Sequence, residues 1–426
     1  MKLFFQIFVF FLVIFFSVYI ENPTINLTYL LFYYMLFLFD FFFKKSELRY
    51  YYNCFVFGSL ILLLLFQLDH GTFWNGPDDE LFYLAAIGKE KEGFYLLNIR
   101  WQGYYFLLTN FYIFIKDVID SSVHFYHGIL LSSFYSAFIP YFFRKHLYTR
   151  LPAQTMKKII ILLLILPQFV LYNSTYLRDS LILLFFSMLM YFIHLKNIRL
   201  FYRVSIISII LLITFSIRPA SFLFLLIYLL LFVYFNLKKG KYSLIIILLI
   251  SFSLLLSYLD FRNPFSVNES YINLSNNEGA KKSIGNILLN STNVLAYPVK
   301  FFYMLFSPIP PSIVFKFSAK NVIFTIGDFI KYYYTFLFLI SSFNLLFSKI
   351  KEKYIYMNLI YVTLITTVVL LTTREPRHLS FLFPLIFIEG LTYNKENKLI
   401  GKKIFLLTLI AFPVIFAGYI TIKYIY

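Results

Sequence analysis

Few residues in this sequence have the means to do chemistry, and the densest group is Pro77-Asp78-Asp79-Glu80. Three consecutive acidic residues occur nowhere else in the chain. A carboxylate in such a run takes a proton from an incoming hydroxyl or holds a divalent cation. Acidic residues behind a proline also suit the first turn of a helix, where the macrodipole favours them. Three other polar stretches carry arginine: Tyr176-Leu177-Arg178-Asp179-Ser180, Arg218-Pro219 and Arg374-Glu375-Pro376-Arg377-His378. The planar guanidinium fork suits a phosphate or pyrophosphate. Each stretch also has a plainer use. Arg178 can snorkel to headgroups beside Asp179 at a helix start, and Glu375 can neutralise its own turn. Trp74, Tyr83, Trp101 and Tyr104 flank the acidic run and offer ring faces on which a sugar stacks. His124 and His127 form an HxxH pair with no further Cys or His cluster beside them. They read as polar residues at a helix end, so no metal centre is expected.

These groups sit in a very apolar chain. Of 426 residues, 60% are hydrophobic and 14% charged, against about 25% charged in a soluble domain. One core cannot hide that much apolar surface, so lipid is the solvent for much of the chain. The net charge of +18 would suggest nucleic acid on a soluble protein. Here the basic residues fall mostly in short loops between apolar runs, the positive-inside pattern, and no nucleic-acid partner is expected. The single cysteine, Cys54, lies within an apolar run and permits no internal disulfide. The segment after Met1-Lys2 has no small-residue cleavage site and is read as a retained helix.

The elements that must position the polar groups are helices. Apolar runs oriented by Lys and Arg predict an all-α polytopic membrane protein of about thirteen transmembrane helices in one integral domain, 1–426. The spans fall at about 3–20, 27–43, 53–68, 123–143, 159–172, 181–195, 204–217, 221–235, 243–259, 329–347, 356–372, 381–392 and 404–422. Two long segments, 69–122 and 260–327, lie on the extracytoplasmic side. Each carries an interfacial or re-entrant helix. One is at 104–116, where a full span would invert the later topology. The other is near 295–315, where prolines argue against a regular span. Apart from Asp40, most spans are read as free of charge.

This topology gathers the acidic run and all three arginine stretches on the outer face. Arginine there runs against the positive-inside tendency and is costly near hydrocarbon, so it has a partner or a task. One acidic segment and several arginines around an aromatic vestibule suit an anionic head on a lipid tail, with a sugar nearby. The fitting reaction is glycosyl transfer: a carboxylate among Asp78, Asp79 and Glu80 deprotonates the acceptor hydroxyl. Arg178, Arg218, Arg374, Arg377 and His378 stabilise the departing lipid phosphate or pyrophosphate.

Asp78-Asp79-Glu80-Leu81-Phe82-Tyr83 in the first long outer segment resembles the C-type-fold glycosyltransferases. Later features resemble the polytopic polymerases of O-antigen and capsule repeat units. They are Tyr176-Leu177-Arg178-Asp179, the aromatic stretch ending Ser307-Pro308-Ile309-Pro310, and Arg374-x-x-Arg377 before a helix with Pro384. That resemblance implies a bacterial inner-membrane enzyme joining repeat units on undecaprenyl pyrophosphate, with essential outer-face arginines. A flippase and a chain-length regulator are the partners that fit it; no cofactor is expected, and a divalent cation at the acidic run is left open. The match covers about thirty residues. Three competitors stand beside it. A transferase adding one sugar from a polyprenyl monophosphate shares the chemistry. A lipid-linked oligosaccharide flippase should carry charges within its spans, and a membrane acyltransferase should carry a buried His with an Asn.

Overall fold

The computed structural model describes residues 2–42, 47–71, 77–88, 102–119, 123–147, 152–166, 169–170, 178–195, 198–236, 297–307, 318–347, 353–371, 379 and 381–425. The chain is all-α: sixteen helices lie among these residues, and no strand does. They are α1 (Lys2–Tyr19), α2 (Thr24–Phe42), α3 (Leu48–His70), α4 (Pro77–Ala86), α5 (Gln102–Ile119), α6 (Phe125–Ser136), α7 (Phe138–Leu147), α8 (Ala153–Ile165), α9 (Asp179–His194), α10 (Leu200–Ile217), α11 (Pro219–Asn236), α12 (Tyr297–Phe306), α13 (Ala319–Phe347), α14 (Lys353–Leu371), α15 (Phe383–Glu396) and α16 (Lys398–Ile425).

Five of the described helices are long and apolar enough to cross a membrane: α1, α2, α3, α10 and α13. Stretches within α9, α11 and α14 are apolar but shorter. Of the thirteen expected spans, the one at 243–259 lies outside the described residues. The outward faces fit lipid. Phe4, Phe11 and Phe15 of α1 are 76%, 62% and 64% exposed, and Phe201 and Leu212 of α10 are similarly bare. Exposed phenylalanine at this density on water-facing helices would be an aggregation surface.

The described chain falls into two compact units, Met1–Phe222 and Leu223–Tyr426. In the first, α3 lies among α1, α2 and α6. The buried ring of Tyr29 stacks on Tyr52, and its hydroxyl donates to Asn53 of α3. Gly58 makes room for Val170, whose methyl would lie 2.5 Å from an added Cβ. The apolar run at 123–143 forms α6 and α7, which meet at Ala137. Pro140 lacks an N–H and cannot bond the Ser136 carbonyl, which places the break there.

The α2–α3 junction gathers charge. Glu47 accepts from the Lys2 ammonium, from Arg144 of α7 at 2.9 Å and from the Tyr51 hydroxyl at 3.0 Å. Asp40, the expected charge inside a span, pairs with Arg49 at 2.9 Å. Burial pushes the Glu47 carboxyl up. The hydrogen bonds from Lys2 and Tyr51 and the charges of Lys2 and Arg144 outweigh that and hold it below the usual carboxylate range.

One sequence expectation changes in the second unit. α13 begins at Ala319, not near 329, because Ser318 caps it: its hydroxyl accepts from the Asn321 N–H at 3.3 Å and its carbonyl from Val322 at 3.0 Å. Residues 319–327 are therefore helix. Two helices of this unit also carry charge, beside the reading that most spans are free of it apart from Asp40. Asp328 and Lys331 stand inside α13 and Glu389 inside α15, all buried.

Candidate functional site

The polar groups of the first unit meet at a corner made by helix ends. Asp179 is in the first turn of α9, and Arg218 follows the last residue of α10. The carboxylate favours the positive end of one dipole and the guanidinium the negative end of the other. They pair at 3.0 Å, with the two side chains 14% and 17% exposed. The Arg218 N–H bonds Thr214 at 2.8 Å, while its carbonyl accepts from Ser221 and Phe222 at the start of α11. One residue thus closes α10, opens α11 and neutralises α9.

Arg178 immediately precedes α9, and its guanidinium lies 5.5 Å from the centroid of the Phe82 ring in α4. The ring is itself edge-on to Tyr104 of α5 at 5.2 Å. α4 carries Pro77, Asp78, Asp79 and Glu80 as its first turn, as the sequence predicts for a proline followed by acids. Phe82, Ala85 and Ala86 bury its apolar side. Phe82 therefore joins the acid-bearing helix to the arginine corner.

The corner is recessed. The Ser180 hydroxyl donates to Tyr135, and Tyr135 to Ser132, each at 3.0 Å. Tyr104 bonds the same Tyr135 hydroxyl. Tyr135 is ten residues past the start of α6, roughly 15 Å along its axis. Tyr135 is the next-to-last residue of α6, so the α9 start meets the α6–α7 junction, midway along the 123–143 run. α5 runs back along α6: Tyr104 meets Tyr135, whereas Tyr112 bonds Gly128 and packs on Tyr83. Gly103 lets α5 also approach the end of α10, because a Cβ there would lie 2.5 Å from the Ser216 hydroxyl and 2.8 Å from its carbonyl. Helix ends at such depth are tolerated where protein or a water-filled cavity satisfies them.

The expected site residues divide three ways. Arg178, Asp179, Arg218 and the acidic helix come together. Glu80 is half-buried beside Phe82 on α4, while Asp78 and Asp79 are placed by their backbone alone. Tyr104 is fully buried, and the Tyr83 hydroxyl donates to the Val123 carbonyl at 3.1 Å with its ring edge-on to Tyr112. In this structure both are packing residues. Tyr104 has no exposed face for a sugar. Trp74, Trp101, Arg374, Arg377 and His378 lie outside the described residues.

His124 and His127 cap α6. The His124 ring accepts from the Tyr126 N–H, and the His127 ring accepts from the His124 N–H and contacts Thr24 at 3.1 Å. Among the described residues, no three His, Cys, Asp or Glu side chains gather as a metal would need.

Phe82 as a platform and Tyr135 as a hub were not singled out from sequence. An aromatic after an acidic run carried part of that signal. A tyrosine in an apolar helix carried none. No protein family, curated protein or solved structure matches the chain.

Proposed function

We propose that the chain is a membrane glycosyltransferase that polymerises undecaprenyl-pyrophosphate-linked oligosaccharide repeat units of O-antigen or capsule. It would act at the outer face of a bacterial inner membrane. One observation carries the reading: a recessed corner of Arg178, Asp179 and Arg218 is joined through Phe82 to a helix that opens with three acids. A site for this reaction needs cations where the leaving phosphate departs and a carboxylate where the acceptor arrives.

The step balances simply. A carboxylate of Asp78, Asp79 or Glu80 takes the acceptor proton, and the acceptor oxygen bonds to the anomeric carbon. The bond from that carbon to the lipid (pyro)phosphate breaks, and its electrons leave with the phosphate. Arg178 and Arg218 stabilise that charge, with Asp179 holding Arg218 in place. Arg374, Arg377 and His378 join them in this proposal, as do a flippase and a chain-length regulator as partners. Transfer of one sugar from a polyprenyl monophosphate uses the same groups.

The test is the surface-polysaccharide length profile of cells carrying Asp79→Asn or Arg218→Ala at normal membrane levels. Collapse of long chains to one repeat unit is expected. Normal length with one sugar missing would favour the single-sugar transferase. A profile unchanged in a full deletion would overturn glycosyl transfer. A second reading, transport of a lipid-linked oligosaccharide, draws support from the charges buried within α13 and α15. It predicts accumulation of unpolymerised repeat units on the cytoplasmic leaflet after deletion.

A further inference from the structure

The second unit holds a set of buried polar groups that glycosyl transfer leaves unused. Asp328, Lys331 and Thr335 fall at i, i+3 and i+7 on α13, one side of the helix, and are 0%, 3% and 0% exposed. The Lys331 ammonium donates to the Ser307 carbonyl at the end of α12 and lies 4.6 Å from the centroid of the Phe383 ring at the start of α15. Asp328 acts on it through its charge. Lys300 of α12 is buried as well, against the Tyr297 ring.

Further along, the Asn358 amide of α14 donates to the buried Glu389 of α15. Glu389 is six residues past Phe383, or about 9 Å along the helix. Thr335 is twelve residues before the end of α13, and Thr366 thirteen after the start of α14. The two helices are joined by five residues and pack on each other, and α14 reaches α15 through Asn358 and Glu389. α13 packs closely on α15: a Cβ on Gly390 would sit 3.0 Å from the Tyr334 carbonyl.

Among the described residues, three buried oxygens in this set have no hydrogen-bonding partner: Thr335 Oγ1, Thr366 Oγ1 and Asn358 Oδ1. Buried polar atoms left in this way are where water resides. Ionisable side chains inside a membrane segment are costly and mark ion or proton pathways. We propose that α13, α14 and α15 enclose a hydrated seam that carries protons between Asp328–Lys331 at one end and Glu389 at the other. A proton entering at one end converts a carboxylate to its acid. It passes along water held by the Thr335 and Thr366 hydroxyls, each group accepting one proton as it releases another. It leaves from the second carboxylate, with no change in electrons. Lys331 is the cation beside Asp328 on this path, and Lys300 is buried on the neighbouring α12.

The inference is independent of the arginine corner, and its test needs no saccharide. The purified full chain is reconstituted in liposomes with an internal pH dye, and a pH step is imposed with potassium and valinomycin holding the membrane potential at zero. Proton flux well above that of protein-free liposomes is expected. Glu389→Gln and Asp328→Asn should lower it by tenfold or more, Thr335→Val by several-fold, and the exposed Lys402→Ala not at all. Thr335→Val removes only an unpartnered hydroxyl, so it stays informative if a carboxylate variant fails to fold. Wild-type flux equal to that of empty liposomes overturns the proposal. Flux undiminished in folded Thr335→Val and Glu389→Gln does so as well.

Discussion

The two units hold opposite charges in opposite ways. In the first, Asp179 and Arg218 meet at helix ends, where both dipoles favour them, and each keeps some exposure. In the second, Asp328 and Lys331 lie more than two turns inside a membrane-length helix, and dipoles at its own ends do little for them. A pair at helix ends can be opened, hydrated and offered to a ligand. A pair sealed within a helix is held by its partners and is costly to break. On the readings proposed above, the first unit would work at its helix-end corner and the second along an interior seam.

The contrast is broken hardest from the buried side. Lys331→Met leaves Asp328 buried without its counter-charge and should cost about 3–5 kcal/mol, read as a lowered Tm in detergent. Asp328→Asn combined with Lys331→Met should recover most of that loss. Equal destabilisation by Arg218→Ala would erase the distinction between the two pairs.

Gly103→Val comes next. It drives a side chain into the Ser216 backbone and should cost about 1–3 kcal/mol, together with long-chain polysaccharide, as α5 moves off the corner. Arg218→Ala, which leaves the largely buried Asp179 without its bond, should cost about 1–3 kcal/mol, read as a lowered Tm, yet abolish long chains if the corner binds phosphate. That split between stability and activity is the sharpest test of the first unit. Tyr135→Phe, which removes the hub hydroxyl, should cost about 1 kcal/mol.

The smallest effect is at Glu47. Its carboxyl is held below the usual range, so its stabilising contribution is present above the unfolded pKa of about 4.3. That contribution fades as pH falls through the lowered value. The site is partly exposed, so solvent screening limits it to about 1 kcal/mol or less. Glu47→Gln should flatten the acid limb of a Tm–pH profile and leave neutral pH little changed.

Much of this was legible in the residues. The first two apolar runs predict α1 and α2 within a few residues, because nothing but hydrocarbon-length helix suits such segments. Pro77 before three acids predicts the first turn of α4, and Arg178-Asp179 predicts a helix start. The depth of the corner was not legible, since it depends on Tyr135 reaching Ser180 from another helix. Tyr104 looked like a surface aromatic because composition does not tell a buried ring from a stacking one. Asp328 falls just before the apolar run that predicts a span at about 329–347, and the helix start further back rests on Ser318 capping it. Glu389 lay in plain view within a predicted span, and only its bond to Asn358 gives it meaning.

The placement of Asp328 and Lys331 also bears on how α13 is made. The two charges stand one turn apart on a single helix, so this segment brings its own counterion out of the ribosome. Phe383, which later covers the ammonium, is synthesised some fifty residues afterwards. Paired at i and i+3, the two groups let the interior of α13, beyond Lys320 at its start, partition into lipid without net charge before that cover exists. Moving either charge by two positions would set the pair on different sides of the helix. Insertion itself, well before any question of folding or activity, would then be the step that fails.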